Sequence, residues 1–341
     1  MDASMQDGLE AYCRRRFPEK GQLQVKDFRS LTGGWENEVY AFDLEYGPPE
    51  DRRSDQLILR VYPGDHADFK SQREFHAMRK LHTAGYPVPY VHILEKSDSP
   101  FSKPFLIMDW VEGQLLSVRM STLPEAERAA LRTRFCQLLV RLHHLDWRPF
   151  QEEGTNYEAD KPYFFVDKYL AGEQEVLEEW GLPGFAPVLA WLGERRDEVP
   201  CLEPAVTHGD FHAGNLLVRD DGSVIVVDWT GCRVSDARLD LARTLLFIRA
   251  YGSEDRRMLY LAEYERLAGA QLQQLEWFEA LACSLRLRDV VIALSNGPEK
   301  LGWRPDIAST VRAQIAGNRE TYEFLRELTG VRVPEVETLL V

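Results

Sequence analysis

The first third of the chain contains short apolar stretches of the length and composition typical of β-strands. Five of them are separated by turn residues or by a polar segment: QVKDFRSL, EVYAFDLEY, LILRVYP, VPYVHIL and PFLIMDWV. Between the third and the fourth, residues 65–84 carry apolar side chains at helical spacing, and a short amphipathic helix over residues 9–17 precedes the first strand. This pattern predicts a small antiparallel sheet with one helix in its middle.

Beyond residue 113 the apolar positions follow helical periodicity. It predicts helices over residues 124–145, 163–180, 184–198, 236–251, 254–268, 272–295 and 306–329. A hairpin interrupts them, because 216–218 and 224–227 are short apolar strands and Asp221-Gly222 between them is typical of a tight turn. The sequence therefore predicts an α+β protein with a small lobe over residues 1–109 and a larger, mainly helical lobe over residues 110–341.

Composition narrows the class of protein. With 341 residues and 44% hydrophobic content the chain can bury a core, and its net charge of -14 argues against general nucleic-acid binding, which needs a basic face. The same charge fits a cationic small partner, or merely a well-solvated surface. Five scattered cysteines without a Cys-x-x-Cys pair predict reduced thiols. Since neither a secretion signal nor an apolar run of ~20 residues is evident, we expect a cytoplasmic protein without a membrane partner.

The segment THGDFHAGNLLVRDDGSVIVVDWTG, residues 207–231, carries the candidate chemistry. An ionised carboxylate beside the apolar run that ends in Asp228 is costly unless a cation or hydrogen bonds satisfy it. Because a hairpin returns the chain to its start, we expect Asp228 near Asn215, and their oxygens suit Mg²⁺. Asp210 in the same loop can accept a proton from an attacking hydroxyl. The alternative is that Asp210 and Asn215 only cap local backbone.

The stretch HGDFHAGN, followed by IVVDW, resembles the aminoglycoside phosphotransferase and choline kinase family, which shares its fold with protein kinases. The resemblance spans roughly residues 31–250. It implies a bilobal, protein-kinase-like fold and a small-molecule O-phosphotransferase that uses Mg²⁺ to move the γ-phosphate of ATP or GTP to a hydroxyl. Asp210 would be the catalytic base and Asn215 and Asp228 the metal ligands. His208 and Asp240 would support the catalytic loop by hydrogen bonds.

The small lobe carries the nucleotide-binding candidates. Gly33, Gly34 and Asn37 stand in a loop that resembles the family's nucleotide-covering loop, although a Gly-Gly pair alone also fits an ordinary turn. Arg60 occupies the position of the usual strand lysine, and Glu74 that of its helix partner; a plain surface ion pair or a degraded nucleotide site is the alternative. The hinge, whose backbone would meet the nucleotide base, is expected at Met108, Asp109, Trp110 and Val111.

Candidate residues for binding the acceptor are few, and they do not select one class of acceptor. Trp229, Asp289 and Trp303 are candidate acceptor-binding residues, since an aromatic ring beside a carboxylate can hold an ammonium group, but such aromatic residues also fit a core. An aminoglycoside-like antibiotic and an amino alcohol are both compatible with them. No Ala-Pro-Glu motif follows Asp228, which argues against a protein acceptor. A catalytically quiet, kinase-like sensor of nucleotide or metabolite is the alternative function.

Overall fold

The computed structural model describes residues 2–31, 36–64, 66–151, 155, 157 and 162–340. The chain divides into two compact units. The first consists of Met1–Gln114, Leu217–Thr230 and Gly302–Arg304, and the second of Leu115–Leu216, Gly231–Leu301 and Pro305–Val341. A functional division at residue 109 stays a prediction.

The first unit contains the five-stranded antiparallel sheet that the sequence predicts, and the α+β fold class is confirmed. Its strands are β1 (Gln24–Leu31), β2 (Glu38–Tyr46), β3 (Arg53–Val61), β4 (Val91–Glu95) and β5 (Phe105–Asp109). They lie in the order β1-β2-β3-β5-β4, and every neighbouring pair is antiparallel. Two helices belong to this unit, α1 (Asp2–Arg16) and α2 (Ala67–Thr83).

Strand β3 begins four residues earlier than predicted. It pairs with β2 along its whole length, from Glu38 opposite Val61 to Tyr46 opposite Arg53. The polar residues at its start gave no apolar signal, but the ladder hydrogen bonds to a nine-residue partner extend the strand through them. The sheet and α1 share a core in which Leu9, Tyr12, Leu59 and Phe105 are buried.

Five shorter strands follow, namely β6 (Gln114–Leu115), β7 (Ala205–Thr207), β8 (Leu216–Val218), β9 (Val224–Val226) and β10 (Arg233–Ser235). Strands β8 and β9 form the predicted hairpin, and β6 joins their sheet. At the turn, Gly222 has a φ of 79° and the Asp221 carboxylate accepts a hydrogen bond from Ser223 N at 2.8 Å. The pair of β7 and β10, which the sequence did not reveal, brings the start and the end of residues 207–231 onto adjacent strands.

The second unit is mainly helical. Its helices are α3 (Leu116–Thr122), α4 (Glu125–His143), α5 (Phe164–Trp180), α6 (Ala186–Glu194), α7 (Ala237–Ala250), α8 (Glu254–Ala268), α9 (Leu275–Asn296), α10 (Ile307–Ala313), α11 (Ile315–Thr329) and α12 (Pro334–Leu340). The helix predicted over residues 306–329 is two helices, because the chain is interrupted at Gln314, whose Oε1 accepts hydrogen bonds from Tyr251 and Arg286. Within the described ranges, no helix has the length and apolar character needed to cross a membrane.

Candidate active site

Arg60 is the centre of a charged cluster in the first unit. Its Nε lies 3.2 Å from Oε2 of Glu74, and its Nη2 lies 2.5 Å from Oδ1 of Asp228. When the amide of the buried Asn37 is oriented with its oxygen toward Arg60, that oxygen also accepts hydrogen bonds from Nη2 at 2.8 Å and Nε at 2.9 Å. The planar guanidinium fork allows one side chain to serve all three partners, which a lysine could not do with the same geometry.

Glu74 is the most deeply buried member of this cluster. Its carboxylate accepts hydrogen bonds from the Tyr62 hydroxyl and, at 3.3 Å, from the backbone nitrogen of Trp229. Burial raises the pKa of Glu74, while the positive charge of Arg60 acts in the opposite direction. Sequence reasoning placed Arg60 and Glu74 together, and the structure brings them into contact; their role toward a nucleotide stays a prediction.

Asp228 follows β9 in an unusual backbone conformation. Its φ is 68°, in the left-handed region that non-glycine residues seldom adopt, although Asp and Asn tolerate it best. The Thr230 hydroxyl donates to Asp228 Oδ1 at 3.1 Å, and 37% of the Asp228 side chain remains exposed. Such strained positions concentrate at functional sites. In this backbone conformation the Asp228 carboxylate lies beside Arg60.

Arg60 contacts two carboxylates that differ in exposure. The Glu74 side chain is 1% exposed, whereas 37% of the Asp228 side chain is exposed. Asp228 is therefore the carboxylate of the two that solvent reaches. Its contact with Arg60 offsets part of the cost of placing a carboxylate beside an apolar run.

The expected hinge residues lie at the end of β5. The backbone nitrogen of Asp109 donates to Tyr90 O at 2.9 Å and that of Trp110 to Gln56 O at 3.1 Å. Those two amides are occupied by the sheet, so they are not free to meet a nucleotide base. Met108 is buried and paired in the sheet. The role of these four residues toward a nucleotide base stays a prediction.

In the second unit, Asp240 fixes the loop that carries Asp210. Its two carboxylate oxygens accept hydrogen bonds from the backbone nitrogens of His208, at 2.8 Å, and Gly209, at 2.7 Å. His143 Nε2 contacts the same carboxylate at 3.1 Å, and His143 Nδ1 lies 2.7 Å from the Tyr264 hydroxyl. Burial raises the pKa of Asp240, but the hydrogen bonds and charges of His143 and His208 together outweigh burial, so the pKa is lowered.

Two glycines let the loop pass close to the segment that follows Asp228. A Cβ on Gly231 would lie 2.7 Å from His208 O, and one on Gly209 would lie 2.9 Å from Gly231 O. Gly209 also has a φ of 84°, which other residues rarely adopt. The spacing of His-Gly-Asp and Asp-Trp-Thr-Gly in the sequence thus reflects a direct backbone contact.

Asp210 and Asn215 are held together within that loop. Asn215 Nδ2 donates to Asp210 O at 2.9 Å and lies 3.4 Å from Asp210 Oδ2. His212 Nε2 lies 3.3 Å from the same Oδ2, while His212 Nδ1 accepts a hydrogen bond from Gly214 N. Desolvation raises the pKa of Asp210. The hydrogen bond and charge of His212, followed by the charges of Arg243 and His208, together have a larger, opposite effect and lower the pKa to about 2. Asp210 is thus an ionised carboxylate at neutral pH.

The donors present suit magnesium. Since Asn215 uses its Nδ2 for Asp210, its amide oxygen is directed away from that residue and is the atom left for a cation. Asp228 offers a partly exposed carboxylate. The described part of the chain contains no group of three or more His, Cys, Asp or Glu residues arranged around a metal. Mg²⁺ is commonly bound by one or two protein oxygens together with phosphates and water, and the Asn215 amide oxygen and the Asp228 carboxylate, each taken by itself, are donors of the kind it prefers.

The remaining predicted residues are placed as follows. Gly33 and Gly34 lie outside the described residues. Trp229 is fully buried, with Nε1 bonded to Val226 O and its ring against Tyr86, so it has no surface for an acceptor and we do not retain it in that role. Asp289 is bonded to Arg288 in α9, and Trp303 is partly buried in a segment of the first unit.

Sequence reasoning missed several residues that shape the site. His143 lies 97 residues before its partner Asp240 and sits among apolar residues of α4, so nothing nearby in the sequence marks it. Thr244 donates to Phe211 O at 2.8 Å and holds the loop from α7. His212 did carry a signal, because it lies between Asp210 and Asn215 in the motif itself.

The sequence profile of the phosphotransferase enzyme family matches residues 27–281. The chain belongs to this family. Among curated relatives, acyl-CoA dehydrogenase family member 10 of Mus musculus is 27% identical over 256 residues, which cover 71% of this chain and 22% of the relative. Family member 11 of Mus musculus is 25% identical over 254 residues, covering 70% of this chain and 30% of that protein. The chain thus spans less than a third of either relative.

Several solved structures have folds similar to that of this phosphotransferase family member. A Ralstonia eutropha protein described as a "putative aminoglycoside phosphotransferase" superposes with a TM-score of 0.64 at 17% identity, covering 93% of this chain and 98% of the other. A thermostable mutant of APH(4)-Ia in ternary complex with ADP and hygromycin B gives 0.59 at 20% identity, with coverages of 92% and 98%. A choline/ethanolamine kinase family protein from Mesorhizobium loti gives 0.53 at 18% identity, with 98% of both chains covered. The predicted family resemblance and kinase-like fold are confirmed.

Proposed function

We propose that this protein is a small-molecule O-phosphotransferase that transfers the γ-phosphoryl group of ATP or GTP to a hydroxyl, with Mg²⁺ as cofactor. The observation that carries the proposal is the contact of Asn215 with Asp210 in a loop fixed by Asp240. A loop in which Asn215 only capped the backbone of Asp210 would not need an ionised carboxylate at residue 210. Membership of the phosphotransferase enzyme family supports the same reaction class.

Arg60 and Glu74 would serve the nucleotide. Their contact supports a working site rather than a degraded one, because Glu74 keeps the guanidinium in a fixed orientation. On nucleotide binding, Arg60 would exchange its bond to Asp228 for phosphate oxygens, which its fork can hold in pairs. The complex of a structural neighbour with ADP supports nucleotide use. ATP and GTP stay alternatives, because the hinge amides of Asp109 and Trp110 are already bonded within the sheet.

Asp210 would align the acceptor hydroxyl. The acceptor oxygen forms a bond to the γ-phosphorus, the bond from that phosphorus to the β–γ bridging oxygen breaks, ADP or GDP leaves with that oxygen, and the hydroxyl proton passes to Asp210. A carboxylate with a pKa of about 2 is a weak base, so its main contribution is orientation, with proton transfer following formation of the new bond.

Asn215 and Asp228 would hold the magnesium, which supplies neutralisation of phosphate charge when bound. An amide oxygen and a carboxylate oxygen are ligands of the kind that Mg²⁺ prefers. His208 and Asp240 would keep the loop in place without touching substrate. The five cysteines are all buried free thiols, and a reducing, nucleotide-rich cytoplasm is the compartment we propose for the activity.

An ADP- and GDP-release screen against a panel of hydroxyl acceptors, run with ATP and GTP, tests the proposal. The panel contains an aminoglycoside, because the neighbour's complex holds hygromycin B. It contains an amino alcohol, because the net charge of -14 fits a cationic acceptor. Hydroxy acids are included as anionic acceptors for comparison. Two variants probe the site, Asp210→Asn and Asp228→Asn. Asparagine is chosen at residue 228 because it tolerates the left-handed backbone, whereas alanine would add strain.

We expect Asp210→Asn to reduce turnover by about 10²- to 10⁴-fold, because it removes the group that orients and deprotonates the hydroxyl. Asp228→Asn should raise the Mg²⁺ concentration needed for half-maximal rate. The matched control is Asp221→Asn, an exposed hairpin residue whose turn bond asparagine can also make. Wild-type turnover in both site variants would contradict the proposal, as would nucleotide binding that is indifferent to Mg²⁺ and never yields ADP or GDP.

A further inference from the structure

A small depression in the second unit borders the catalytic loop. Its lining includes Gly209, which precedes Asp210, together with Tyr169, Arg233, Ser235 and Arg243. The space measures about 10 Å³, which admits one oxygen atom of a larger group. It can therefore receive one oxygen of an end group, with the rest of the molecule outside the depression.

Two arginines of the depression form no ion pair with a carboxylate of the described residues. Arg243 is partly buried in α7, and its side chain makes no hydrogen bond or ion pair with any residue that the structure describes. Arg233 is also partly buried, and its Nε donates to Gly231 O at 3.2 Å, which fixes the plane of the guanidinium. The chain has 55 acidic against 41 basic residues, so the lack of a partner is not explained by a shortage of carboxylates.

The acidic residues nearest these arginines are already engaged. Asp236 lines the same depression but caps α7 and binds Arg238, with Oδ2 2.7 Å from Nη2. Asp240 receives the two loop amides and His143. The depression is lined by Gly209, the residue before Asp210, so both arginines lie beside the loop that carries this aspartate.

We propose that Arg233 and Arg243 bind an anionic group, a carboxylate or a phosphate, on the same acceptor molecule whose hydroxyl Asp210 aligns. The inference rests on the proposed phosphotransfer and names the class of its substrate. Guanidinium groups bind such anions through paired, charge-assisted hydrogen bonds, and the Tyr169 and Ser235 hydroxyls, 3.3 Å apart, line the same space.

This substrate class differs from the cationic acceptor that the overall charge of -14 suggested. An ammonium group placed at the depression would be repelled by two unpaired arginines, and like charges brought together cost binding energy. An anion there would instead neutralise them. Local charge at the site outweighs net charge of the whole chain, because solvent and salt screen the distant carboxylates.

The first test compares acceptors that differ only in charge: glycerate, methyl glycerate, glycerol 3-phosphate and choline, assayed by ADP or GDP release. We expect wild type to prefer glycerate or glycerol 3-phosphate over methyl glycerate, and the ratio of the two anions to identify carboxylate or phosphate. In the double variant Arg233→Gln/Arg243→Gln, the preference for the anion should fall by about tenfold or more through KM. The single variant Arg243→Lys, which keeps the positive charge, should retain part of the preference for the anion that the double variant loses.

Arg134→Gln is the control, since Arg134 is exposed in α4 and the substitution removes one charge of the kind that the double variant removes twice. It should retain the wild-type preference. Preference for choline in wild type, or an unchanged anion preference in the double variant, would overturn the inference while leaving phosphotransfer intact. Absence of ADP and GDP release with every acceptor would instead count against the proposed function.

A second measurement does not depend on turnover. At constant ionic strength and saturating ADP, glycerate or inorganic phosphate should raise the melting temperature of wild type and of Arg134→Gln, but not of the double variant. A shift that persists in the double variant would mean that the anion binds elsewhere. Absence of any anion-specific shift in wild type would also overturn the inference.

Discussion

Replacing Arg60 by glutamine tests the charged cluster of the first unit. The change removes the positive charge beside Glu74, whose side chain is 1% exposed, while that of Arg60 is 13% exposed. Removing one partner of a buried ion pair costs roughly 3–5 kcal/mol, because the other charge stays buried without compensation. Glu74 keeps its bonds from Tyr62 and Trp229, so we expect the lower end, about 3 kcal/mol.

Such a loss corresponds to a melting temperature lower by about 4 °C, because the unfolding entropy of a 341-residue chain is about 0.7 kcal/mol/K. Denaturant unfolding without nucleotide measures it, which separates stability from substrate binding. The double variant Arg60→Gln/Glu74→Gln should recover part of the loss, since no buried charge is then left alone. The pair of Arg60 with Asp228 adds little, because 37% of the Asp228 side chain is exposed to water.

The deficit should depend on pH. Burial already raises the pKa of Glu74, and without Arg60 it should rise further. A carboxyl whose folded pKa lies above its unfolded value loses stability as pH rises through the folded pKa, so the variant should be closer to wild type at pH 5 than at pH 8.

The control for this experiment lies on the same strand. Arg53 pairs with Asp51, and both side chains are about two-thirds exposed. Arg53→Gln should change the free energy of unfolding by less than about 0.5 kcal/mol. If Arg60→Gln were equally harmless at pH 8, the reasoning about buried charge in this cluster would be refuted.

Two further predictions concern the catalytic loop. Gly231→Ala should destabilise the protein by about 1–3 kcal/mol, because the added Cβ would lie 2.7 Å from His208 O, whereas Gly193→Ala in α6 meets nothing within 4 Å and should be neutral or stabilising; thermal unfolding of both variants checks this. His212→Ala should raise the pKa of Asp210 from about 2 toward its ordinary value of 3.8. Wild type then loses stability as the pH falls from 4 to 2, because Asp210 is protonated there, and the variant should lack this loss. Carboxyl NMR titration between pH 2 and 5 measures the pKa, and an unchanged value in the variant would contradict the prediction.

Local patterns in the sequence were sufficient for most of the elements. β1 and β2 were predicted to the residue, since their apolar content is bounded by turn residues on both sides. The hairpin over residues 216–227 followed from its Asp-Gly turn. β7 and β10 were missed, because three-residue strands pair through tertiary context and carry no periodic signal.

The candidate site was only partly within reach of sequence reasoning. The residues of the motif could be named, because their types and spacing carry the chemistry. Their partners could not: Arg60 and Asp228 are 168 residues apart, and His143 reaches Asp240 across 97 residues. Trp229 shows the opposite failure, since its place in the motif suggested ligand contact whereas packing against Tyr86 makes it a core residue.

The central claim is that Asp210 directs phosphoryl transfer to an acceptor hydroxyl. The most direct measurement is ³¹P NMR of wild type and Asp210→Asn with Mg²⁺, ATP or GTP and each acceptor of the panel. The account predicts a phosphate monoester appearing in step with nucleoside diphosphate in wild type, and its near absence in the variant. A monoester formed equally fast by Asp210→Asn, or nucleoside diphosphate accompanied only by inorganic phosphate with every acceptor, would contradict it.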